Sequence, residues 1–467
     1  MSDLGGSDFR RIAVLDIGKT NAKVVVVDVA SGGEVATLKM PNRVLTGPPY
    51  PHYDVEGIWS FALDALARFA IEPGYDAISI TTHGACAALL DTEGHLALPV
   101  LDYEHAYPQH VRHAYSALRP AFAETASPPL ANGLNLGAQL HYQKECFAAE
   151  FSRVATILTY PQYWAFRLTG IAANEATSLG CHTDLWRPGR GEYSTLVDAL
   201  GLRQLMAPVR SAFDMLGHVV PRIAERMGLA RPVPVFCGIH DSNASLLPHL
   251  VGRQSPFSVV STGTWVVSFA VGGNLAGLDP ARDTLANVDA HGRAVPSSRF
   301  MGGREFEMLT SDWPQPGSEE VGVSVANMLS AGRMLLPGLM HGSGPFPDRQ
   351  HEWVGEAPQT AAEAHALATI YAALMTDACL GLLGAGGDTI VEGPFADNAV
   401  YLQLLAALTG RDVLAVSGST GTSAGASLLT GARLASLSCR RVEPWSIPSA
   451  LSYKTLWLGG LGMVAAA

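Results

Sequence analysis

The sequence is poor in charge. Asp, Glu, Lys and Arg make up 16% of its 467 residues, against 48% apolar ones, a balance that excludes a disordered chain. Cations are the scarcer kind: 31 Lys and Arg face 42 Asp and Glu, leaving a net charge of −11. That argues against general nucleic-acid or anionic-membrane binding. An anionic ligand would need local donors, such as backbone N–H groups and a few lysines. Cysteine is sparse as well. The six, at 86, 146, 181, 237, 379 and 439, include no C-x-x-C pair, so neither a zinc site nor a disulfide framework is expected, and reduced thiols in the cytoplasm are the default. No uninterrupted apolar run approaches the roughly 20 residues of a membrane span. Residues 1–11 are polar and lack the apolar centre of a signal peptide. Glycine alone is plentiful, with 48 copies, which suits tight turns and close helix packing. The length suffices for two or three domains.

The stretch at 13–28 carries the first chemistry. Two β-branched apolar runs, 12–15 and 24–27, flank a polar turn holding Asp16, Gly18, Lys19, Thr20, Asn21 and Lys23. Gly18 permits a sharp bend and close approach of an anion, Thr20 and Asn21 offer hydrogen bonds, and the lysines offer charge. Asp16, ending a buried strand, could face a hydrated cation. The set suits a polyphosphate with a divalent metal; an ordinary hairpin with a polar loop is the alternative. A Walker A loop is lacking, because Ala13 stands where its first glycine belongs. A dinucleotide fingerprint is also lacking, because a strand rather than a helix follows the turn.

Further along, Asp54 reads as the N-cap of a helix carrying Trp59, Leu63 and Leu66. A strand at 77–81 ends in Thr82-His83-Gly84-Ala85, a place where α/β proteins hold ligands. Asp102, Glu104 and His105 cluster in a loop and could accept sugar hydroxyls, or simply be solvated. The run at 132–145, with Asn135, Gln139 and Lys144, could line a polar cleft. A short strand at 233–237 runs into Gly238-Ile-His-Asp-Ser-Asn243, where Asp241 is either a helix N-cap or a base for a bound hydroxyl within about 3 Å. Residues 248–256, with two prolines and Gly252, read as a boundary. After it the opening pattern returns: an apolar run, Ser261-Thr-Gly-Thr264, and another apolar run. The region 272–312 reads as irregular. A long helix is expected at 361–383 and a strand at 388–391 ending in Glu392-Gly393. A helix capped by Asp397 or Asn398 and stopped by Gly410 comes next, then a strand at 413–416 and a small-residue helix from Gly421. Those small side chains leave room for a flat ring, or serve close helix packing.

Taken in order, Asp16-Ile-Gly-Lys-Thr-Asn21, Gly238-Ile-His-Asp-Ser-Asn243 and Ser261-Thr-Gly-Thr264 resemble the FGGY carbohydrate kinases of the actin-like ATPase superfamily, over about residues 12–434. The resemblance implies an α/β protein of two ribonuclease H-like domains with an interdomain cleft. An N-terminal domain at 1–247 would carry the sugar side and the first phosphate turn, with a linker at 248–256 and a nucleotide-side domain at 257–467. It implies ATP with Mg2+, a small sugar as substrate, neither nucleic acid nor membrane as partner, and a cytoplasmic location, and leaves a homo-oligomer open. By position, Asp16 would face the metal. Gly18, Lys19, Thr20, Asn21, Lys23, Thr262, Gly263 and Thr264 would lie by the phosphates, and Asp241 would be the catalytic base. Gly393, Asn398, Gln403, Gly421, Gly425 and Ala426 would lie by the adenosine, and His83, Gly84, Asp102 and Glu104, with Asp241, by the sugar. The sequence departs from the family pattern at Glu392, Ala407 and Thr420. The opening turn is similar to kinases of deoxyketoses such as L-fuculose or L-rhamnulose. Kinases of xylulose or a polyol, and an actin-like binding ATPase without sugar chemistry, are the alternatives.

Overall fold

A computed structural model describes residues 8–416, 421–433, 438–445 and 449–463; Thr420 lies outside them. The chain forms two compact units. Unit 1 comprises Met1–Gly252, Ala286–Ala294 and Thr420–Ser436; unit 2 comprises Arg253–Leu285, Val295–Ser419 and Leu437–Ala467. Each unit carries its own mixed sheet, so the expected α/β class with two sheet-bearing domains is what the structure has.

In unit 1, β1 (Arg11–Ile17) and β2 (Asn21–Asp28) form the expected hairpin, and β3 (Glu34–Pro41) extends it antiparallel. Val24–Val27 are wholly buried, as a strand covered on both faces requires. Helix α1 (Val55–Ile71) follows, its first turn capped by Asp54, which accepts the Gly57 N–H at 2.9 Å. Ile58, Ala62, Leu63 and Leu66 of α1 pack into the core with Leu15 and Val24 of the sheet. The chain then enters β4 (Ala77–Thr82), parallel to β1. Helix α2 (Leu136–Cys146) carries Gln139, whose amide donates to the Gly133 carbonyl at 2.6 Å and to that of Ala85; it fastens loops rather than lining a cleft. Helix α3 (Tyr160–Thr169) starts at Tyr160-Pro161 and stops at Gly170, which adopts φ 74°.

Strands β5 (Met215–His218), β6 (Pro234–Phe236) and β7 (Ile239–His240) complete the sheet in the order β5-β6-β4-β1-β2-β3, with β7 also paired to β4. Helix α4 (Asp241–Leu250) leaves β7 and continues through Pro248, past the point where the sequence suggests a boundary. The small-residue helix Thr422–Ser427 packs on α4.

Unit 2 repeats the pattern. β8 (Phe257–Thr262) and β9 (Val266–Val271) form an antiparallel hairpin. The region expected to be irregular instead contains β10 (Ala294–Phe300), paired to β9, and helix α5 (Gly302–Thr310). Alternation in Ala294-Val-Pro-Ser-Ser-Arg-Phe300 was hidden by its proline and its two serines, all three of which are buried in the sheet. Helices α6 (Ser318–Ala331) and α7 (Ala361–Leu382) follow, then β11 (Asp388–Glu392), parallel to β8. Helix α8 (Ala399–Thr409) is capped by Asn398, not Asp397, and ends at Gly410 with φ 66°. β12 (Val413–Val416), β13 (Cys439–Val442) and helix α9 (Ser449–Gly460) close the unit. By length and composition α7 could cross a membrane, but 78% of its apolar window is buried in the protein, where it forms the centre of the unit 2 core.

Gly425 lies so close to α4 that an added Cβ would land on the carbonyl oxygen of Ala244. Gly425→Ala is therefore expected to lower stability by about 1–3 kcal/mol through overpacking, read as a lower midpoint in urea; an unchanged midpoint would mean the two helices separate at no cost.

Candidate active site

β4 lies between β1 and β7. Ile17 and His240 are both level with Thr82, so the chain leaves three adjacent strand ends at Gly18, His83 and Asp241. Side chains at such ends converge where a sheet meets its ligand.

Asp16 is 4% exposed, and a carboxylate so placed needs partners. It has Lys23 Nζ at 3.2 Å, Ser423 Oγ at 3.0 Å and the Thr422 hydroxyl. Lys23, expected by the phosphates, is thus committed to Asp16, with Glu34 at 3.8 Å. The helix expected beside adenosine supplies both hydroxyls, and its carbonyl at Ala426 accepts the Ser79 hydroxyl at 2.7 Å. Gly425 and Ala426 are buried in this packing; Gly421 opens the helix.

Asp241 is the first residue of α4. The N-cap position belongs to His240, and no side chain caps it, so Asp241 is not the cap. Its Oδ1 accepts the Ser242 N–H at 2.6 Å, and 28% of its side-chain surface stays open. Burial on the other sides holds its pKa up to about 6; the charge of Asp16 adds to the rise, while the Ser242 bonds oppose it.

His83 is neutral. Burial pushes its pKa down to about 4, and its Nδ1–H donates to the Gly84 carbonyl at 2.9 Å. Nε2 is left as an acceptor, buried and without a protein partner. The rings of Tyr53, Tyr103 and Tyr160 stand 5.1, 5.6 and 5.2 Å from the imidazole. Sequence reasoning passed over these three tyrosines; Tyr53, directly before the Asp54 cap, gave a positional hint.

Lys19 does not lie with the turn's other donors. It pairs with Asp102, lies 3.4 Å from Glu104 Oε2 and 3.2 Å from the Tyr53 hydroxyl, and sits over the Tyr103 ring at 4.4 Å. Asp102 is 6% exposed and also accepts the Tyr53 hydroxyl at 3.2 Å. The turn itself is tight: Gly18 N–H donates to Asn21 O at 2.8 Å, while Thr20 and Asn21 are exposed. Among the described residues no group of three or more His, Cys, Asp or Glu side chains is arranged to hold a metal. Asp16, a single buried carboxylate beside a strand end, could meet a divalent cation that keeps most of its waters, not one held in a protein cage.

Unit 2 contains a cavity of about 810 Å³ lined by Gly263 and Thr264 of the second turn, Arg304 and Phe306 of α5, His365 of α7, and Asn398. His365 is 6% exposed and its Nε2 has no protein partner. Arg304, Phe306 and His365 were missed by sequence reasoning, the first two because α5 was not expected. Thr262 is not open to the cavity: its hydroxyl donates to Glu392 O at 2.6 Å and accepts the Phe395 N–H at 3.0 Å, fastening β8 to β11. Gly393, at φ 80°, lies against the Thr262 carbonyl. Neither Gly393 nor Gln403 lines the cavity.

Known proteins share this arrangement. Residues 11–248 match the profile of the FGGY family of carbohydrate kinases, N-terminal domain, and residues 254–438 match carbohydrate kinase FGGY, C-terminal domain. The chain belongs to the FGGY family of carbohydrate kinases. A solved structure, a carbohydrate kinase from Novosphingobium aromaticivorans, superposes with a TM-score of 0.89 at 38% identity, covering 96% of this chain and 99% of that one. L-fuculokinase of Escherichia coli K12 is 25% identical over 267 residues, 55% of each chain; the alignment thus spans about half the length of that relative. Autoinducer-2 kinase of Salmonella paratyphi A is 22% identical over 452 residues, 86% of this chain and 82% of that one.

One more acid lies in unit 2 of this FGGY chain. Glu305 is 3% exposed; Oε1 accepts the Tyr371 hydroxyl at 3.1 Å and Oε2 has no partner. Burial pushes its pKa up to about 7, from 4.5 when free. A carboxyl shifted upward favours the folded state below its free pKa and loses that contribution as pH rises through the folded value. Glu305→Gln is expected to raise the urea midpoint near pH 8 and to flatten the fall in stability between about pH 5 and pH 7; an unchanged pH dependence would refute the shift.

Proposed function

We propose that this protein transfers the γ-phosphoryl group of ATP to a hydroxyl of a small sugar, a ketose or deoxyketose such as L-fuculose or L-rhamnulose. The observation that carries the reading is Asp241. It is a partly open carboxylate with its pKa raised to about 6, beside a neutral imidazole acceptor and three tyrosine rings. A base poised near neutral pH can take a hydroxyl proton as the oxygen attacks phosphorus. Phosphoryl transfer needs little covalent help beyond that, so positioning and charge stabilisation dominate.

In this reading the sugar lies in unit 1. His83 Nε2, Asp102 and Glu104 accept its hydroxyls, and Tyr53, Tyr103 and Tyr160 present ring faces to its carbon skeleton. Lys19 belongs to this sugar side, because it is bonded among Asp102, Glu104 and Tyr53. The adenosine lies in the unit 2 cavity against Phe306, His365 and Asn398, with Gly263 and Thr264 as phosphate donors of unit 2; in unit 1 the phosphate donors are Gly18, Thr20 and Asn21. Magnesium carried by ATP would face Asp16 and offset charge on the phosphates. Asp16 keeps Lys23 and two hydroxyls as partners, which hold it in place for that ion. The name L-fuculokinase on one relative and the opening turn support a deoxyketose. A soluble cytoplasmic enzyme fits the reduced cysteines expected from sequence.

A coupled ADP-release assay over ketoses, deoxyketoses and polyols tests this. Sugar-dependent ADP release is expected, and release that ignores sugar would replace the reading with an actin-like ATPase. Asp241→Asn is expected to lower turnover by about 10²–10⁴-fold. Because the ionised form of Asp241 is the base, kcat/KM for the sugar should rise with pH through about 6 and then level off; a flat profile across that range would remove Asp241 as base. Lys19→Met is expected to raise the KM for sugar about tenfold with the KM for ATP little changed; the reverse would return Lys19 to the phosphates.

A further inference from the structure

His240 precedes the carboxylate and is buried, at 5% exposed. Asn243, on the first turn of α4, places its amide nitrogen 3.3 Å from His240 Nδ1. An amide NH2 only donates, so Nδ1 is the accepting nitrogen and the ring proton sits on Nε2. Nε2 stands 3.4 Å from Asp241 Oδ1. Turning the amide over would move the ring proton to Nδ1 and aim the Nε2 lone pair at a carboxylate, a repulsive arrangement.

The residue is held from other directions too. The His240 backbone N–H donates to Thr177 Oγ1 at 3.0 Å, and the Thr177 hydroxyl donates in turn to buried Glu175. Gly84 covers the ring so closely that a Cβ there would stand 2.6 Å from Nε2. The same Gly84 accepts the His83 proton. The two motifs therefore interlock: His83 holds Gly84, and Gly84 confines His240.

We propose that His240 is a positioning residue: its Nε2–H turns Oδ1 of Asp241 toward the imidazole and leaves Oδ2 to face the acceptor hydroxyl. This rests on the assignment of Asp241 as base. The other groups facing Asp241 do not do this. Asp16 on β1 repels it and is itself occupied by Lys23, His83 directs its Nδ1–H to the Gly84 carbonyl, and the Tyr103 phenol only feels the charge of the carboxylate. Ser242 N–H fixes the same Oδ1 from the helix side at 2.6 Å, and the longer 3.4 Å electrostatic contact from Nε2 meets it from the ring side. Burial keeps His240 neutral, with its pKa down near 4. A neutral donor orients the carboxylate while depressing its basicity less than a cation would.

Two substitutions separate positioning from packing. His240→Gln keeps an N–H donor near the place of Nε2; His240→Leu fills similar space without one. His240→Leu is expected to lose about 10²-fold in kcat, as misplacement of a reacting group does, with the sugar KM within about threefold of wild type. His240→Gln should recover at least about tenfold of that loss. Crystal structures should show the Asp241 carboxylate rotated in the Leu variant and held in the Gln variant. Equal kcat in the two variants, or a change confined to KM, would overturn the proposal. Where His240→Leu does not fold, Asn243→Leu frees the ring tautomer and keeps the imidazole; it should lower kcat in the same sense, and full turnover would overturn the proposal. Wild-type protein that releases no ADP with any sugar would remove the kinase reading, and the carboxylate orientation in the variant crystals would then decide the positioning by itself.

Discussion

Parallel pairing of β1 and β7 to the two sides of β4 fixes how far apart the chemistry of unit 1 can be. Neighbouring strands lie about 4.8 Å apart, so two strands flanking a third are separated by about 10 Å. Asp16 comes from one flank and Asp241 from the other. That spacing keeps the two carboxylates out of contact, while their charges still sense each other across protein. His83 leaves the middle strand between them. A one-residue slip in either pairing would turn these side chains to the opposite face of the sheet, so the buried apolar runs that specify the register also specify the site.

Unit 2 uses the same strand arrangement for another end. β8 pairs antiparallel with β9 and parallel with β11, as β1 pairs with β2 and β4. Where unit 1 ends its first strand in a carboxylate, unit 2 ends it in Thr262, whose hydroxyl ties the turn to the following strand. The turn is thereby rigid while Gly263 and Thr264 remain open to a cavity that includes Arg304. A chain of net charge −11 can attract an anion only through such local features, and glycine backbone beside one guanidinium is a set of that kind.

The parts of this that could be read from sequence are those with strong local grammar. The hairpin around Gly18, the Asp54 and Asn398 caps, the glycine stops at Gly170 and Gly410, and the long apolar α7 follow from periodicity and turn chemistry. The region after Gly272 did not, because the centre of β10 is Pro296-Ser-Ser298, residues whose strand character comes from burial in a sheet rather than from propensity. Site residues divide similarly. Asp16, His83 and Asp241 stand at strand ends and were visible. Lys19 and Lys23 were visible as charges, but their partners, Asp102 and Asp16, are set by tertiary contacts that spacing does not encode. Thr422 and Ser423 looked like room for a ring and are donors to Asp16. His240 sat inside a quoted motif unnoticed, because its part depends on which of its two nitrogens carries the proton.

The bonds from Thr422 and Ser423 to Asp16 join residues 406 and 407 positions apart within one unit. During synthesis at about 5–20 residues per second, the first strand therefore waits roughly 20–80 s for its last two hydroxyl partners to emerge. Of the three partners of Asp16 named above, only Lys23 is near it in the sequence and is made before that interval. The surroundings of Asp16 are completed only when almost all of the chain has been made, so premature termination yields fragments in which this carboxylate lacks both hydroxyl partners.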